Sequence, residues 1–237
     1  MLPVAILAGG LATRLRPTTE TIPKSLIEIA GKPFICHQIN YLRKQGVHSI
    51  VICVGFLGKM IEEVVGNGSQ WGISIVYSHD GEYLLGTGGA VRNALPLLAE
   101  HFFILYGDSY LPINFRIVQQ AFLTSGKKGL LTILKNRNEW DKSNVEFSAG
   151  QIIEYNKLVV RSQMHYIDYG LGLIQASVLD QYPTSQAFDL ANIYNELSVA
   201  KELAGFEVFE RFYEIGSHQG IADTKTYLMQ EIEKGSI

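Results

Sequence analysis

Strand-like and helix-like segments alternate along the first half of the sequence, and this order constrains the fold more than any other feature. Short β-rich apolar segments, several of which end at a glycine, are separated by segments with apolar residues at helical spacing. The predicted strands are Val4–Leu7, Ser49–Val54, Ile73–Tyr77, Phe102–Leu105 and Gly129–Leu134, and the predicted helices are Phe34–Lys44, Lys59–Val65, Ala90–Leu98 and Phe115–Leu123. We therefore predict an α/β fold, a Rossmann-like, mostly parallel mixed sheet with helices on both faces.

The pattern changes after Asn136. Two β-rich segments, Val145–Phe147 and Gln151–Tyr155, flank Ser148-Ala149-Gly150, which predicts a hairpin. Further strands are predicted at Tyr166–Ile174 and Gly205–Phe209, and helices at Leu190–Leu203 and Ile221–Glu233. Because neither a repeat nor a linker separates the two parts, we predict a single domain over residues 1–237, with halves of about 1–136 and 137–237.

Composition excludes several classes of protein. With 47% hydrophobic residues among 237, the chain has enough apolar material for a core, but no run of about 20 apolar residues that would cross a membrane. A net charge of −3 argues against a nucleic-acid-coating protein. The two cysteines, Cys36 and Cys53, give neither a disulfide framework nor a metal-site spacing. Since the apolar start of the chain is a poor signal peptide, we expect a cytoplasmic protein that acts at no membrane and on no nucleic acid.

A glycine pair, Gly9-Gly10, follows the first predicted strand, and cations come soon after it. Ligands of open α/β sheets bind at the carboxyl ends of strands, where glycines let the backbone approach a phosphate or a base. The guanidinium of Arg14 suits phosphate oxygens, and Lys24, directly after Pro23, adds a point charge. The glycine pair alone fits a plain turn equally well, because it lacks both the Walker lysine and the third glycine of the dinucleotide fingerprint.

Taken together, these residues resemble the signature of the sugar-1-phosphate nucleotidyltransferases. The matching segments are Gly9-Gly10-x-x-Thr13-Arg14-Leu15-Arg16-Pro17, Pro23-Lys24-x-Leu26 and Gly31-Lys32-Pro33. The resemblance implies that the first half binds the nucleotide. It assigns nucleotide contacts to Leu7, Ala8, Gly9, Gly10 and Thr13. One departure is Ala12, which stands where the family usually has glycine; its methyl group disfavours positive φ, so we expect a stiffer or differently shaped loop.

A second glycine cluster, Leu85-Gly86-Thr87-Gly88-Gly89-Ala90, comes just before a predicted helix. Free N–H groups at a helix N-terminus suit anions and polar rings. The resemblance implies that Gly86, Thr87, Gly88 and Gly89 lie against the nucleotide base, where small residues leave room for a flat ring. A flexible turn in which Thr87 caps the helix is the alternative.

Two acidic residues are candidate metal ligands. Asp108 follows an apolar strand, where a carboxylate points into the ligand crevice and suits Mg²⁺, although turns and helix caps use the same Gly-Asp pattern. The resemblance matches Gly107-Asp108 to the metal-binding Gly-Asp of the family. It places Glu214, in Tyr213-Glu214-Ile215-Gly216, where the family has the aspartate of an Asp-Ile-Gly. It thus implies a Mg²⁺ site at Asp108 and Glu214; a surface acid is the alternative for Glu214.

The second half carries the residues that the resemblance assigns to the sugar. Lys157 stands where the family has Glu-Lys-Pro and would contact the sugar phosphate; a solvated lysine is the alternative. Asp168 and Gly170 match an Asn-x-Gly that touches the sugar. Because an aspartate only accepts hydrogen bonds, its presence suggests recognition of a hydroxyl.

The resemblance implies an enzyme that transfers a nucleotidyl group from a nucleoside triphosphate to a sugar 1-phosphate and releases pyrophosphate. Arg14, Lys24 and Asp108 would be catalytic, and the family's self-association suggests a homodimer. The two glycine clusters are most similar to those of D-glycero-D-manno-heptose 1-phosphate guanylyltransferases, which suggests guanine and a heptose or hexose for a surface polysaccharide. The alternatives are cytidylyl or uridylyl transfer to another phosphorylated acceptor, such as N-acetylmuramate 1-phosphate or phosphocholine, and a non-catalytic nucleotide-sugar-binding regulatory subunit.

Overall fold

The structure, a computed structural model, describes residues 1–137, 139–140, 142–184 and 186–235. Its strands are β1 (Val4–Leu7), β2 (Glu28–Ile29), β3 (Lys32–Pro33), β4 (Ser49–Val54), β5 (Ser74–His79), β6 (His101–Tyr106), β7 (Ser109–Tyr110), β8 (Gly129–Lys135), β9 (Val145–Ser148), β10 (Gln151–Tyr155), β11 (Tyr166–Gln175), β12 (Leu203–Val208) and β13 (Tyr213–Glu214). Its α-helices are α1 (Phe34–Lys44), α2 (Gly58–Val65), α3 (Gly86–Ala94), α4 (Phe115–Ser125), α5 (Leu190–Val199) and α6 (His218–Glu233).

The main sheet has nine strands among the described residues, in the order β5-β4-β1-β6-β11-β8-β12-β10-β9. Strands β5, β4, β1 and β6 are mutually parallel, which confirms the Rossmann-like α/β prediction for the first half. The second half joins this sheet mainly through antiparallel pairs, because β11 runs opposite to both β6 and β8. The predicted hairpin is confirmed as β9–β10, and its two turn residues, Ala149 and Gly150, both have positive φ.

Helices cover both faces of the sheet, as predicted. Apolar side chains of α1, α2 and α4 pack on one face, where they meet Ile6, Ile52 and Leu105. Those of α3 and α5 pack on the other face, against Ala5 and Ile104. Alternate residues of the buried central strands therefore pack into two hydrophobic cores, one on each face of the sheet. Packing on both faces fixes the position of these strands and of the loops at their ends. In the part of the chain that is described, no helix is long and apolar enough to cross a membrane.

Two predicted helices differ from the observed ones by about four residues at an end, and the others by three residues or fewer. The predicted Leu190–Leu203 is split: α5 ends at Val199, Lys201 takes a positive φ of 60°, and Leu203 opens a strand parallel to β8. The helix predicted at Ala90–Leu98 instead begins at Gly86 and ends at Ala94, and a 3₁₀ turn that contains Pro96 follows it. The early start places the second glycine cluster inside the first turn of α3, which matters for the site.

Candidate active site

The loop after β1 is tied to the neighbouring strand. The N–H of Ala8 donates to the carbonyl of Cys53 at 2.9 Å, and a side chain at Gly9 would lie 3.0 Å from the backbone nitrogen of Gly55. Ala12 takes a left-handed backbone, with φ 48° and ψ 44°, although its methyl group disfavours this conformation. The carbonyl of Ala12 accepts hydrogen bonds from Thr19 Oγ1 at 2.8 Å and from the N–H of Leu15 at 3.1 Å. These contacts hold the left-handed backbone against the intrinsic preference of alanine.

A cavity of about 230 Å³ opens where β1, β4 and β6 end beside α3. Eight of the predicted residues line it: Leu7, Ala8, Gly9, Gly10, Lys24, Gly86, Thr87 and Asp108. Its wall also contains Gly107, from the predicted Gly-Asp motif, and six residues without a predicted contact: Ser25, Cys53, Asp80, Leu84, Ala90 and Tyr106. Its lining is mostly apolar, with Lys24 and Asp108 as one charged pair and the carboxylate of Asp80 as a separate charged group, a combination that suits a flat polar ring and phosphates.

The second glycine cluster serves mainly to pack α3 against the segment that leads into α5. The N–H groups of Gly88 and Gly89 donate to the carbonyl of Phe188 at 3.0 and 3.3 Å, and side chains at either glycine would collide with residues 186–189. Thr87 does not cap its own helix. Its hydroxyl donates to Asp189 Oδ1 at 3.0 Å and accepts the N–H of Leu190 at 2.8 Å, at the start of α5. Of the four predicted base contacts, Gly86 and Thr87 face the cavity, whereas Gly88 and Gly89 lie against Phe188.

Hydrogen bonds from helix α1 hold the turn that carries Asp108. The side-chain amide of Gln38, on the buried face of α1, donates to the carbonyls of Tyr106 at 2.9 Å and Ser109 at 2.7 Å. Lys24 Nζ donates to Asp108 Oδ2 at 2.5 Å, and Ser109 Oγ donates to Oδ1 at 3.2 Å. A polar residue within the apolar stripe of α1 is the one sequence signal that could have identified Gln38. The predicted pair of Lys24 and Asp108 therefore meets at a fixed position.

The structure also brings the two predicted metal carboxylates together. Strand β13 pairs with β7 so that Glu214 lies opposite Ser109, and the N–H of Ile215 donates to the carbonyl of Asp108 at 3.0 Å. The carboxylate of Glu214 accepts hydrogen bonds from the N–H of Gly216 and from Ser217 Oγ, the latter at 2.6 Å. Glu214 is thus held at the N-terminus of α6, a favourable place for an anion.

These residues fit a magnesium ion that is shared with phosphates. Asp108 and Glu214 offer hard carboxylate oxygens on a braced turn, which Mg²⁺ prefers. In the described part of the chain no group of three or more histidine, cysteine or acidic side chains is placed to bind a metal. A Mg²⁺ ion here would therefore take its remaining ligands from phosphate and water oxygens, as is usual for this ion.

A second and larger cavity, of about 860 Å³, meets the first one at Tyr106 and Asp108. It brings together six predicted residues: Arg14, Asp108, Lys157, Asp168, Gly170 and Glu214. Thr13 is the one predicted nucleotide contact of the first loop that lines neither cavity. Arg14, the cation predicted to bind phosphate, lines the larger cavity and not the smaller one.

Asp168 lies at the floor of the larger cavity. Its Oδ1 accepts the N–H of Gly170 at 2.9 Å, and its Oδ2 accepts the hydroxyl of Tyr155 at 3.3 Å. Burial raises the pKa of the Asp168 carboxyl, and the nearby ammonium of Lys157 counteracts this shift. Gly170 takes a φ of 107° in the irregular stretch of β11, a conformation that favours glycine.

One wall of the larger cavity carries Arg211, which was not assigned a role from the sequence. Its guanidinium lies 5.0 Å from the ring centre of Trp140 and 4.6 Å from that of Tyr213. It also donates to Asp223 Oδ2 at 2.9 Å, and this hydrogen bond lowers the pKa of Asp223. Stacking and an ion pair fix the plane of the guanidinium, so Arg211 forms a rigid wall of the cavity.

Asp80, in the smaller cavity, was also missed. Its Oδ2 accepts the N–H of Leu85 at 3.2 Å, and its own N–H donates to the carbonyl of Val54 at 2.9 Å. Burial raises the pKa of Asp80. Nothing in its sequence context distinguishes it from a turn residue, because its place beside Gly9 and Gly55 depends on the pairing of three strands.

Several known proteins are similar to this chain in sequence. The chain is 41% identical to the N-acetylmuramate alpha-1-phosphate uridylyltransferase of Neisseria meningitidis over 117 residues, a stretch that covers 49% of this chain and 51% of that protein. It is 27% identical over 97% of its length to a mannose-1-phosphate guanylyltransferase catalytic subunit beta of Xenopus tropicalis, of which it covers 65%. It is 28% identical to the D-glycero-alpha-D-manno-heptose 1-phosphate guanylyltransferase of Campylobacter jejuni, over 81% of this chain and 84% of that protein. The chain thus spans between half and two thirds of the length of the first two relatives.

A solved structure supports the fold. The putative glucose-1-phosphate thymidylyltransferase of Bacillus anthracis, crystallised with sucrose, superposes with a TM-score of 0.84 at 19% identity, over 96% of this chain and 95% of that one. The sequence model of the Nucleotidyl transferase family matches residues 4–144, which is more than half of the chain and includes every residue of the smaller cavity. The family prediction is therefore confirmed, and the chain belongs to the nucleotidyl transferase family.

Proposed function

We propose that the protein transfers a nucleotidyl group from a nucleoside triphosphate to a sugar 1-phosphate. The observation that carries this proposal is the junction of the two cavities at Tyr106 and Asp108, with Lys24 bonded to Asp108. A base fits the smaller cavity, with its phosphates directed towards Lys24 and Asp108 and on into the larger, polar cavity, which also takes the phosphorylated sugar. Their reacting phosphates would then meet beside Lys24 and Asp108.

The reaction needs positioning and charge neutralisation and no covalent intermediate. An anionic oxygen of the sugar 1-phosphate forms a bond to the α-phosphorus, and the bond from that phosphorus to the bridging α–β oxygen breaks, so pyrophosphate leaves with the electron pair. In this proposal Lys24, which is bonded to Asp108, would stabilise charge on the reacting phosphates, and Arg14, which lines the larger cavity, would neutralise the leaving pyrophosphate. Asp108 and Glu214 would hold Mg²⁺, which supplies further charge neutralisation when it is bound.

Lys157 and Asp168 orient the acceptor in this proposal. Lys157 lines the larger cavity and would pair with the sugar phosphate, while Asp168, fixed by Tyr155 and Gly170, would accept a hydrogen bond from a sugar hydroxyl. Holding both reactants in one geometry supplies a large part of the rate enhancement in such transfers.

We propose guanine as the base, on the strength of Asp80. A carboxylate is an acceptor only, and its Oδ2 is already bonded to the N–H of Leu85. Guanine presents two adjacent donors, its N1–H and its exocyclic amino group, to such a carboxylate. Adenine, cytosine and uracil each present at least one acceptor beside their donor, which the carboxylate would repel. The uridylyltransferase name of the Neisseria relative makes UTP the competing candidate.

The test is a pyrophosphate-release screen of the four ribonucleoside triphosphates against glucose, mannose, heptose and N-acetylmuramate 1-phosphates, with phosphocholine as a non-sugar acceptor. We expect release with GTP and a sugar 1-phosphate, and none with Asp108→Asn. Nucleotide binding without release for any pair would instead indicate a regulatory subunit, although the presence of Arg14, Lys24 and Asp108 together argues against that role.

The base assignment has its own test. Asp80→Asn keeps the size of the side chain but presents a donor to guanine, so the preference for GTP over UTP should fall by about tenfold or more. An unchanged preference would remove Asp80 from base selection. A cytoplasmic location and a homodimer stay predictions, which cell fractionation and sedimentation would test.

A further inference from the structure

One side of helix α1 carries polar side chains that hydrogen-bond to the segment between β6 and α4. Gln38, Tyr41 and Gln45 follow one another at helical spacing, so they lie on the same side of the helix. The hydroxyl of Tyr41 donates to the carbonyl of Ile113 at 2.9 Å, and Oε1 of Gln45 accepts the N–H of Phe115 at 3.1 Å. Gln38 bonds the first turn of the segment. Helix α1 therefore holds this segment from the end of β6 to the start of α4.

Gln38 holds the two ends of the turn that carries Asp108. Its amide Nε2 has two N–H donors, and the carbonyls of Tyr106 and Ser109 accept hydrogen bonds from it at 2.9 and 2.7 Å. These carbonyls stand before and after Gly107-Asp108, so one side chain spans the turn. Gln38 is 2% exposed and lines neither cavity, and it therefore acts on the site only through the backbone.

The amide of Gln38 is not explained by stability alone. Its Oε1 is buried and has no hydrogen-bond partner among the described residues. An unpaired buried oxygen lowers the free energy of unfolding, which offsets part of what the two donated hydrogen bonds contribute. Gln38 shares the buried face of α1 with Ile35, Ile39 and Leu42, and an apolar side chain at its position would avoid this cost. What the amide adds is a pair of donors that fixes the turn.

The position of this turn determines how the two candidate metal carboxylates face each other. Asp108 lies in the turn itself, and Glu214 is tied to it, because β13 pairs with β7 and Glu214 lies opposite Ser109. Both carboxylates approach Gly216, where a Cβ would lie 2.8 Å from Glu214 Oε2 and 3.6 Å from Asp108 Oδ2. A small shift of the turn would therefore change the gap between them. Because Mg²⁺ requires near-ideal octahedral geometry, such a shift would weaken its binding.

We propose that Gln38 is a positioning residue, which fixes the turn of Asp108 and so sets the gap between the carboxylates of Asp108 and Glu214 that a divalent cation would bridge. The inference rests on the proposed function, and it gives a residue of α1 that touches neither substrate nor metal a part in binding the metal. Replacing the hydrogen-bond partners that orient metal ligands typically lowers metal affinity by about 10–100-fold.

The test is Gln38→Met, which keeps the approximate size of the side chain and removes both donors. Calorimetry measures the affinity for each of the four ribonucleoside triphosphates with Mg²⁺ and with EDTA, without a sugar phosphate, so that no turnover occurs. We expect the variant to lose about tenfold or more of the affinity that Mg²⁺ adds, and to keep the affinity measured in EDTA. In turnover, the Mg²⁺ concentration for half-maximal activity should rise by about tenfold, and excess Mg²⁺ should restore most of kcat.

Gln45→Met is the matched control. It removes an amide of the same kind, from the same side of α1, whose hydrogen bond holds the far end of the same segment at Phe115. Both variants should lower the melting temperature by a few degrees, so only the dependence on Mg²⁺ separates a positioning role from a structural one. If Gln38→Met does not fold, Gln38→Asn takes its place, because the shorter amide cannot reach both carbonyls.

The outcomes separate this proposal from the proposed function. If the folded Gln38 variant keeps the Mg²⁺ dependence of the wild type, or if Gln45→Met changes that dependence equally, the role of Gln38 is overturned and the proposed function stands. If the wild type releases no pyrophosphate with any pair of substrates, the proposed function fails, while nucleotide binding with and without Mg²⁺ still decides the role of Gln38. A wild type that binds every nucleoside triphosphate equally well with Mg²⁺ and with EDTA would overturn both the metal site and this role.

Discussion

Replacing Lys24 by methionine should harm catalysis far more than stability. The Lys24–Asp108 pair is 2.5 Å long, and the two side chains are 22% and 27% exposed, so solvent still screens it. Exposed ion pairs contribute about 0–1 kcal/mol, and we expect this partly buried one to contribute about 1–2 kcal/mol to the free energy of unfolding. Removing one donor that stabilises a reacting phosphate typically lowers the rate by about 10²–10³, which corresponds to about 3–4 kcal/mol.

The assay compares turnover with the midpoint of urea unfolding for the same variants. Methionine keeps the length of the lysine stem, so the loss reports the charge and its hydrogen bond. Lys234→Met is the control, because Lys234 pairs with Glu231 at 2.8 Å on the surface of α6. It should change neither quantity by a measurable amount. If Lys24→Met retains near-normal turnover, or if its turnover loss is fully accounted for by unfolded protein, the assigned role of Lys24 is refuted.

Three further predictions concern other parts of the site. Ala12→Gly should raise the free energy of unfolding by about 0–1.5 kcal/mol. Glycine removes the strain of an alanine in the left-handed region, and this gain exceeds the loss from the larger conformational entropy of glycine in the unfolded chain. A lower midpoint of urea unfolding would contradict this. Gly86→Ala should lower the free energy of unfolding by at least about 2 kcal/mol, because φ is 68° and a Cβ would lie 2.7 Å from the carbonyl oxygen of Phe188. Gly81→Ala is the control: its φ is 89° but its surroundings are open, so this variant should show only the cost of the backbone strain. Equal losses for the two glycine variants would refute the packing role of Gly86. Glu214→Gln should raise the Mg²⁺ concentration for half-maximal activity by about tenfold or more, with Glu214→Asp tolerated; an unchanged titration would show that Glu214 only anchors α6.

The edge of the sheet that carries the site could be predicted from the sequence, because parallel strands place their carboxyl ends together. Once Val4–Leu7 and the strand before Asp108 were identified, Gly9 and Asp108 had to lie at one edge, and the structure pairs Leu7 with Tyr106 directly. The sequence motif supplied Lys24, whose contact with Asp108 spans 84 residues and which no local pattern shows. The start of α3 was mispredicted because glycine is a poor helix former, and the contacts of Gly86 and Gly88 with Phe188 override that preference.

The site residues that could not be predicted from the sequence were missed for one physical reason. Asp80, Gln38 and Arg211 act through contacts whose geometry is set by elements remote in sequence: Gln38 reaches β6 from α1, and Arg211 stacks on Trp140. Periodicity predicts which face of an element is buried but not which partner it meets there. A buried polar residue on an apolar face is the one local sign of such a role, as for Gln38.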